Sequence, residues 1–194
     1  MDDSLDDLLI ESGWENSDGK ITSEGFEVLR LLLENARKNK QRFPFPTWLE
    51  LMHVGGVGVT IPIELVMVRE GKRGKEVFLA RRSPKDPDFP DQLHFPGTYV
   101  WQGEEIVDTC RRVAAQELPG VTIVNADKEI GTSNNADNPR FHDFSIVILV
   151  EHTGEPDGTV KGGWYPIEEE PPQNMIAWHR SRIWLIVKSH LAKN

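Results

Sequence analysis

The chain has 194 residues, with 31 Asp and Glu against 22 Lys and Arg for a net charge of −9 at pH 7. That length suits one well-buried domain plus an appendage, and the acidic balance argues against a nucleic-acid backbone or an anionic membrane as main partner. One cysteine, Cys110, leaves no disulfide framework and fits a reducing compartment.

The start, Met1-Asp2-Asp3, lacks the basic and apolar regions of a signal peptide, and no apolar run approaches membrane-spanning length. A soluble cytoplasmic protein is therefore expected. Residues 1–50 read as a helical extension. Leu5, Leu8 and Leu9 suggest a short first helix ending near Gly13, and Ser23 is placed to cap a second. Phe26, Leu29, Leu32, Leu33 and Ala36 share one face of it, and Arg37, Lys38 and Lys40 suit the dipole at its end. Phe43-Pro44-Phe45-Pro46 then breaks the helix as a hinge. Between the helices, residues 16–21 resemble the middle of an EF-hand calcium loop. With Gly19 as loop position six, Trp14 and Gly25 stand where the two main carboxylates belong, so a plain Asp-Gly turn is the expectation.

Residues 51–194 form the second domain, β-rich from Val54. Strands are expected at 57–60 and 63–69, a hairpin loop at 70–74, and a partner strand at 76–82 in which Val77 and Leu79 alternate with Phe78 and Ala80. The proline-rich stretch 83–93 is long enough to be a substrate-side loop. Residues 94–121 then read as strand, Gly-containing turn and one short helix, with Ile106, Cys110, Val113 and Ala114 on one stripe. Glu117 follows on that stripe in the last turn, where the helix dipole disfavours negative charge, and needs a cation: an arginine or a metal ion. Strands near 121–124, 129–133, 144–150 and 160–167 precede a final helix at 175–191, with Ile176, Ile183, Ile186 and Val187 apolar. This order predicts an α+β sandwich with a helix on each side.

The stretch 94–121 resembles the signature box of the Nudix family: Gly, five residues, Glu, seven residues, then Arg-Glu-apolar-any-Glu-Glu-any-Gly-apolar. Glu104 and Arg112 fall at the required spacing, Glu117 takes the last glutamate, and Gly97 matches the glycine whose carbonyl is a metal ligand in that family. The box is degenerate. Thr98 replaces its first glycine, Val113 and Gln116 replace two glutamates, and Pro119 stands where the last glycine belongs unless Gly120 supplies it after one insertion. The resemblance implies an α/β/α sandwich with a mixed sheet over residues 54–192. It also implies a substrate in which a nucleoside diphosphate is linked to another group, and Mg²⁺ or Mn²⁺ as cofactor, since hard cations take oxygen ligands and neutralise a diphosphate. Glu104, Arg112 and Glu117 would be catalytic. Gly97 and Glu117, with the Gln116 amide as accessory, would hold one ion.

Arg112 to Leu118 further resembles the same segment of GDP-mannose mannosyl hydrolases, a Nudix branch that keeps only the last glutamate and attacks the sugar carbon. Glu64 matches that branch's active-site aspartate, and Arg82 an arginine able to stabilise a departing diphosphate. Its Gln-His pair before the tryptophan is missing from residues 158–163, so a base would come from His142, Asp143 or His94, or be absent. His142, with Asp143 at a strand mouth, is a candidate for the substrate side; a polar loop entering a buried strand explains the pair as well. Trp101 could stack on a base or simply be core. Structural explanations compete elsewhere too: Glu117 could pair with Arg111 or Arg112, Glu104 suits a helix start, and Arg112 stands four residues after Asp108. Isopentenyl-diphosphate isomerases, which share the Arg-Arg…Glu-Leu helix, need a cysteine that residues 94–104 lack. Two functions remain: a Nudix-type hydrolase, with a nucleotide sugar among its candidate substrates, and a catalytically inactive Nudix fold binding a nucleotide-type ligand or a protein partner. In the second, residues 1–50 would serve regulation or homodimerisation.

Overall fold

In the computed structural model, residues 9–18, 20–39, 41, 59–101, 103–140 and 142–193 are described, and the chain divides into two units, Met1–Trp48 and Leu49–Asn194. In the first unit, Asn16 organises the turn between helices: its Oδ1 accepts from the backbone amides of Asp18 and Lys20, both at 3.0 Å. Helix α1, Ser23–Lys38, is capped by Thr22 and not by Ser23. The Thr22 hydroxyl accepts from Gly25 N at 3.1 Å and donates to Gly13 O at 2.6 Å, so one side chain satisfies both a helix donor and the preceding turn. A side chain at Gly25 would collide with the Trp14 carbonyl, which is why glycine stands there. On the expected apolar face only Ala36 is buried, whereas Phe26 and Leu32 are more than half exposed. Leu5, Leu8, Lys40 and the 43–46 hinge lie outside the described residues.

The second unit contains β1 (Pro62–Val66), β2 (Val68–Gly71), β3 (Gly74–Arg81), β4 (Leu93–His94), β5 (Gly97–Tyr99), α2 (Ile106–Glu117), β6 (Thr122–Asn135), β7 (Asp143–Thr153) and β8 (Gly162–Pro166). A π-helical turn, His179–Ile183, then runs into α3, Trp184–Leu191. One sheet has the order β5-β1-β7-β6, with β1 and β7 parallel and the other pairs antiparallel. In the other, β3 pairs with β2 at its start, β4 at its end and β8 along its length.

Three expected elements change form. The single strand 63–69 divides at Met67, whose fully buried backbone carbonyl accepts from Phe78 N, so the chain passes from one sheet to the other there. The two strands near 121–124 and 129–133 are one, β6, because register shifts between Ile123 and Gly131 absorb residues that look like a break. The final helix starts later than residue 175, since Met175 bridges to Leu93 instead. Of strand 57–60 only its end is described, where Thr60 bridges to Asp143.

Alternation along β3 builds two cores. Val77 and Leu79 join Ile183, Trp184, Val187 and Leu191 on one face, while Phe78 and Ala80 join Cys110, Val113, Ala114 and Leu118 on the other. The result is the α+β, mixed-sheet sandwich with helical layers on both faces. On α2 the buried stripe runs through Thr109, not Ile106, which is 38% exposed. Thr109 can be buried because its hydroxyl donates to Glu104 at 2.9 Å. Among the described residues, no helix is long and apolar enough to cross a membrane.

Candidate functional site

The β1–β5 register sets Glu64 opposite Gly97. The carboxylate of Glu64 lies so close that a Cβ at Gly97 would come within 2.5 Å of both Glu64 Oε2 and the Ile63 carbonyl oxygen. From the end of α2, Glu117 comes near enough to the same point for the Gly97 amide to pull its pKa down. Two carboxylates thus converge on one glycine. Burial pushes Glu117 up to about 7, against the opposing pull of Arg82 and the Gly97 amide. Glu64 is pushed well above the usual carboxylate range by burial and then by the charges of Asp143 and Glu117, with Arg82 and Ser145 opposing.

Behind Glu64 sits a buried polar network. Ser145 Oγ is 3.4 Å from both Glu64 Oε1 and Asp143 Oδ1. Asp143 accepts from Asn135 and Asn138, each at 2.5 Å, and Ser133 holds Asn135 in turn. Burial raises Asp143 above its ordinary value despite these donors. From the π-turn, His179 accepts from Phe95 N on Nδ1 at 3.2 Å, so its proton is on Nε2, which lies 3.6 Å from Glu64 Oε1. Burial holds His179 well below its usual pKa and depresses His94 to about 3. Nδ1 of His94 donates to the Phe95 carbonyl at 2.7 Å. Both rings are neutral at pH 7.

Arg82 is the cation whose charge acts on Glu64 and Glu117. By contrast, Arg112 belongs to Glu104. It donates from Nε and Nη2 to the two carboxylate oxygens at 2.8 and 2.6 Å, and from Nη2 to Tyr99 O at 2.8 Å. Trp101 N and Thr109 complete the shell of Glu104, whose pKa falls to about 2, chiefly through Arg112. Neither an Asp108–Arg112 pair nor an Arg112–Glu117 pair forms; Asp108 engages Arg111 at 3.2 Å. Trp101 carries the Arg112 guanidinium 3.5 Å over its ring, so that face is already covered.

The structure therefore brings Glu64, Gly97 and Glu117 together, with Arg82 beside them, while Glu104 and Arg112 brace the turn leading into α2. Gln116 is exposed, and so is His142, whose Nε2 lies 2.6 Å from Asn134 Oδ1; neither contacts Glu64 or Glu117 among the described residues. Of the pair at the strand mouth, Asp143 is the buried member. His179 had no sequence signal, because its contact at Phe95 is 84 residues away.

No group of three or more His, Cys, Asp or Glu side chains among the described residues is arranged to hold a metal ion. The donors at hand are the carboxylates of Glu64 and Glu117 and the Gly97 carbonyl. This all-oxygen set, with two carboxylates lifted by burial and crowding, fits one hard cation better than a cluster.

The sequence profile of the NUDIX domain matches residues 62–183. The E. coli ORF135 protein is similar in structure, with a TM-score of 0.57 at 14% identity over 72% of this chain and 96% of that one. A MutT Nudix hydrolase from Burkholderia pseudomallei gives 0.52 at 21% identity, covering 66% and 96%. The C-terminal domain of mouse MUTYH, solved in complex with human PCNA, gives 0.53 at 12% identity, covering 70% and 91%. Likeness at these identities is one of fold. A comparison with curated protein sequences gives no match.

Proposed function

This chain belongs to the Nudix family, and on that premise we propose that it hydrolyses a nucleoside diphosphate linked to a second group, a nucleotide sugar first among candidates, with one Mg²⁺ or Mn²⁺. The observation that carries this reading is the meeting of Glu117 and Glu64 on Gly97, opposed by the charge of Arg82. When bound, the cation would neutralise the diphosphate; Glu117, Glu64 and the Gly97 carbonyl would hold it. Arg82 would bind the diphosphate and stabilise it as leaving group. Glu104 and Arg112 would act indirectly, by holding the 99–105 turn that presents Gly97 and α2. Glu64, backed by Ser145 and Asp143, or Asp143 itself, is the candidate base in place of His142 or of His94, whose burial opposes protonation. The acidic balance and lone buried cysteine support a cytoplasmic setting. The helical unit at residues 1–50 would regulate the hydrolase domain, residues 51–194, or dimerise it.

A second reading, a nucleotide- or protein-binding Nudix fold without catalysis, rests on α2 itself. Val113 is core, Gln116 is exposed and Glu104 is paired, leaving Glu117 as the helix's one carboxylate in the site. Phosphorus NMR separates the readings, using the protein with Mg²⁺ and a panel of nucleotide sugars, nucleoside triphosphates and dinucleotides, beside Glu117→Gln. Nucleoside diphosphate plus free sugar would mean attack at carbon, and nucleoside monophosphate plus sugar phosphate attack at phosphorus. No turnover, with metal binding indifferent to Glu117→Gln, would remove the hydrolase and leave the binding protein.

A further inference from the structure

The 82–92 loop contains a bracket that the chemistry above does not use. Asp86 is its centre. Oδ1 accepts from the amides of Asp88 at 3.1 Å and Phe89 at 3.0 Å and from Arg140 Nη2 at 2.5 Å, while Oδ2 lies 3.2 Å from Arg82 Nε. Arg140 arrives from the β6–β7 connection, also pairs with Asp88 at 2.6 Å and lies 4.7 Å over the ring of Phe89. Phe89 is buried and meets Trp178 edge-on at 5.3 Å, so the loop is pinned to the core beneath. The Arg140 side chain is only 8% exposed and that of Asp86 12%, against 25% for Arg82. Among the described residues, the buried Nε of Arg82 makes no hydrogen bond, so its tie to Asp86 is an ion pair.

We propose that Asp86, backed by Arg140, is a positioning residue that holds the Arg82 guanidinium by an ion pair and so keeps it in place for a diphosphate at the Glu64–Gly97–Glu117 site. This rests on the reading of Arg82 as the diphosphate-binding residue. A guanidinium tied by an ion pair on one side presents fixed N–H donors to phosphate oxygens, which a mobile one does not offer. Arg140 serves by neutralising Asp86, so that this carboxylate orients Arg82 without repelling the anion.

The sign of one substitution decides. Asp86→Asn still accepts from the two backbone amides, so the loop keeps its shape, but its NH₂ now faces Arg82 and no longer holds it. Removing a negative charge beside an anion site would, by charge alone, tighten binding; loss of positioning weakens it. Calorimetry on the full 194-residue chain in magnesium buffer, with inorganic pyrophosphate as probe, reads the outcome. Positioning predicts that Asp86→Asn weakens binding roughly tenfold in a variant that still melts cooperatively, and by less than about twofold in an Arg82→Lys background, where the guanidinium is already gone. Arg140→Lys, which drops the second arm to Asp88, shifts affinity in the same direction. Unchanged or tighter binding by Asp86→Asn, while Arg82→Lys binds weakly, overturns the positioning role and leaves the role of Arg82 intact. Wild-type affinity in Arg82→Lys, or no binding by the wild type, overturns both.

Discussion

At the scale of single residues, the informative contrast is between Glu104 and Glu117, two glutamates of one motif with opposite surroundings. Glu104 is satisfied by Arg112, Trp101 N and Thr109, and its pKa falls to about 2. Glu117 is lifted to about 7 by burial. The first is a brace, and the second has room for a cation. Glu104→Gln should therefore cost about 2–3 kcal/mol of stability, since it leaves a mostly buried guanidinium without its counter-charge; chemical denaturation measures it. Because the folded pKa of Glu104 lies below its unfolded value of 4.5, this contribution is full above that value and fades as pH falls toward 2. Wild type and Glu104→Gln should then differ at pH 7 and converge in acid. A constant difference across that range would mean that shape, not charge, matters at Glu104.

At the scale of elements, what the site needs is the register of β1 against β5, because that register puts Glu64 on Gly97. Gly97→Ala should cost about 1–3 kcal/mol from the clash with the Ile63 carbonyl, and should push the Glu64 carboxylate aside. Loss of divalent-cation binding in a variant that still melts cooperatively is the expected result; calorimetry with Mn²⁺ checks it. The sequence made Gly97, Glu104, Arg112 and Glu117 legible, because a helix and its preceding turn carry their spacing along the chain. It also made β3 legible through alternation, Val77 and Leu79 against Phe78 and Ala80. Other features depend on partners distant in the chain. Nothing local says that the strand after Pro62 changes sheets at Met67, that bulges join two stretches into β6, or that His179 meets Phe95. Arg112 shows a related effect: Asp108 is the nearer candidate along the helix, but the partner is Glu104, eight residues back, because the turn folds over it.

At the scale of the whole molecule, the cluster sets two groups of titrations against each other. His94 and His179 are buried neutral, so the unfolded chain binds more protons than the folded one below about 6.5, and stability falls with pH. Glu64 and Glu117 work the other way. Their folded pKa values are raised, that of Glu117 to about 7, so protonating them on the way down to 4.5 favours the folded chain. The two effects offset each other across that interval. Below 4.5 the carboxylates of the unfolded chain protonate as well and their contribution stops changing, while His94 continues to oppose folding down to about 3. The melting temperature should thus be nearly flat from pH 7 to about 4.5 and then fall, with each buried histidine supplying up to about 1.4 kcal/mol per pH unit. Divalent cation needs the ionised carboxylates, so Mg²⁺ should raise the melting temperature at pH 8 and have little effect at pH 5. Scanning calorimetry across pH, with and without Mg²⁺, tests both statements. A steady decline from pH 7 would show that Glu64 and Glu117 are ordinary ionised carboxylates, and an equal Mg²⁺ effect at pH 8 and 5 would place the cation elsewhere than on them.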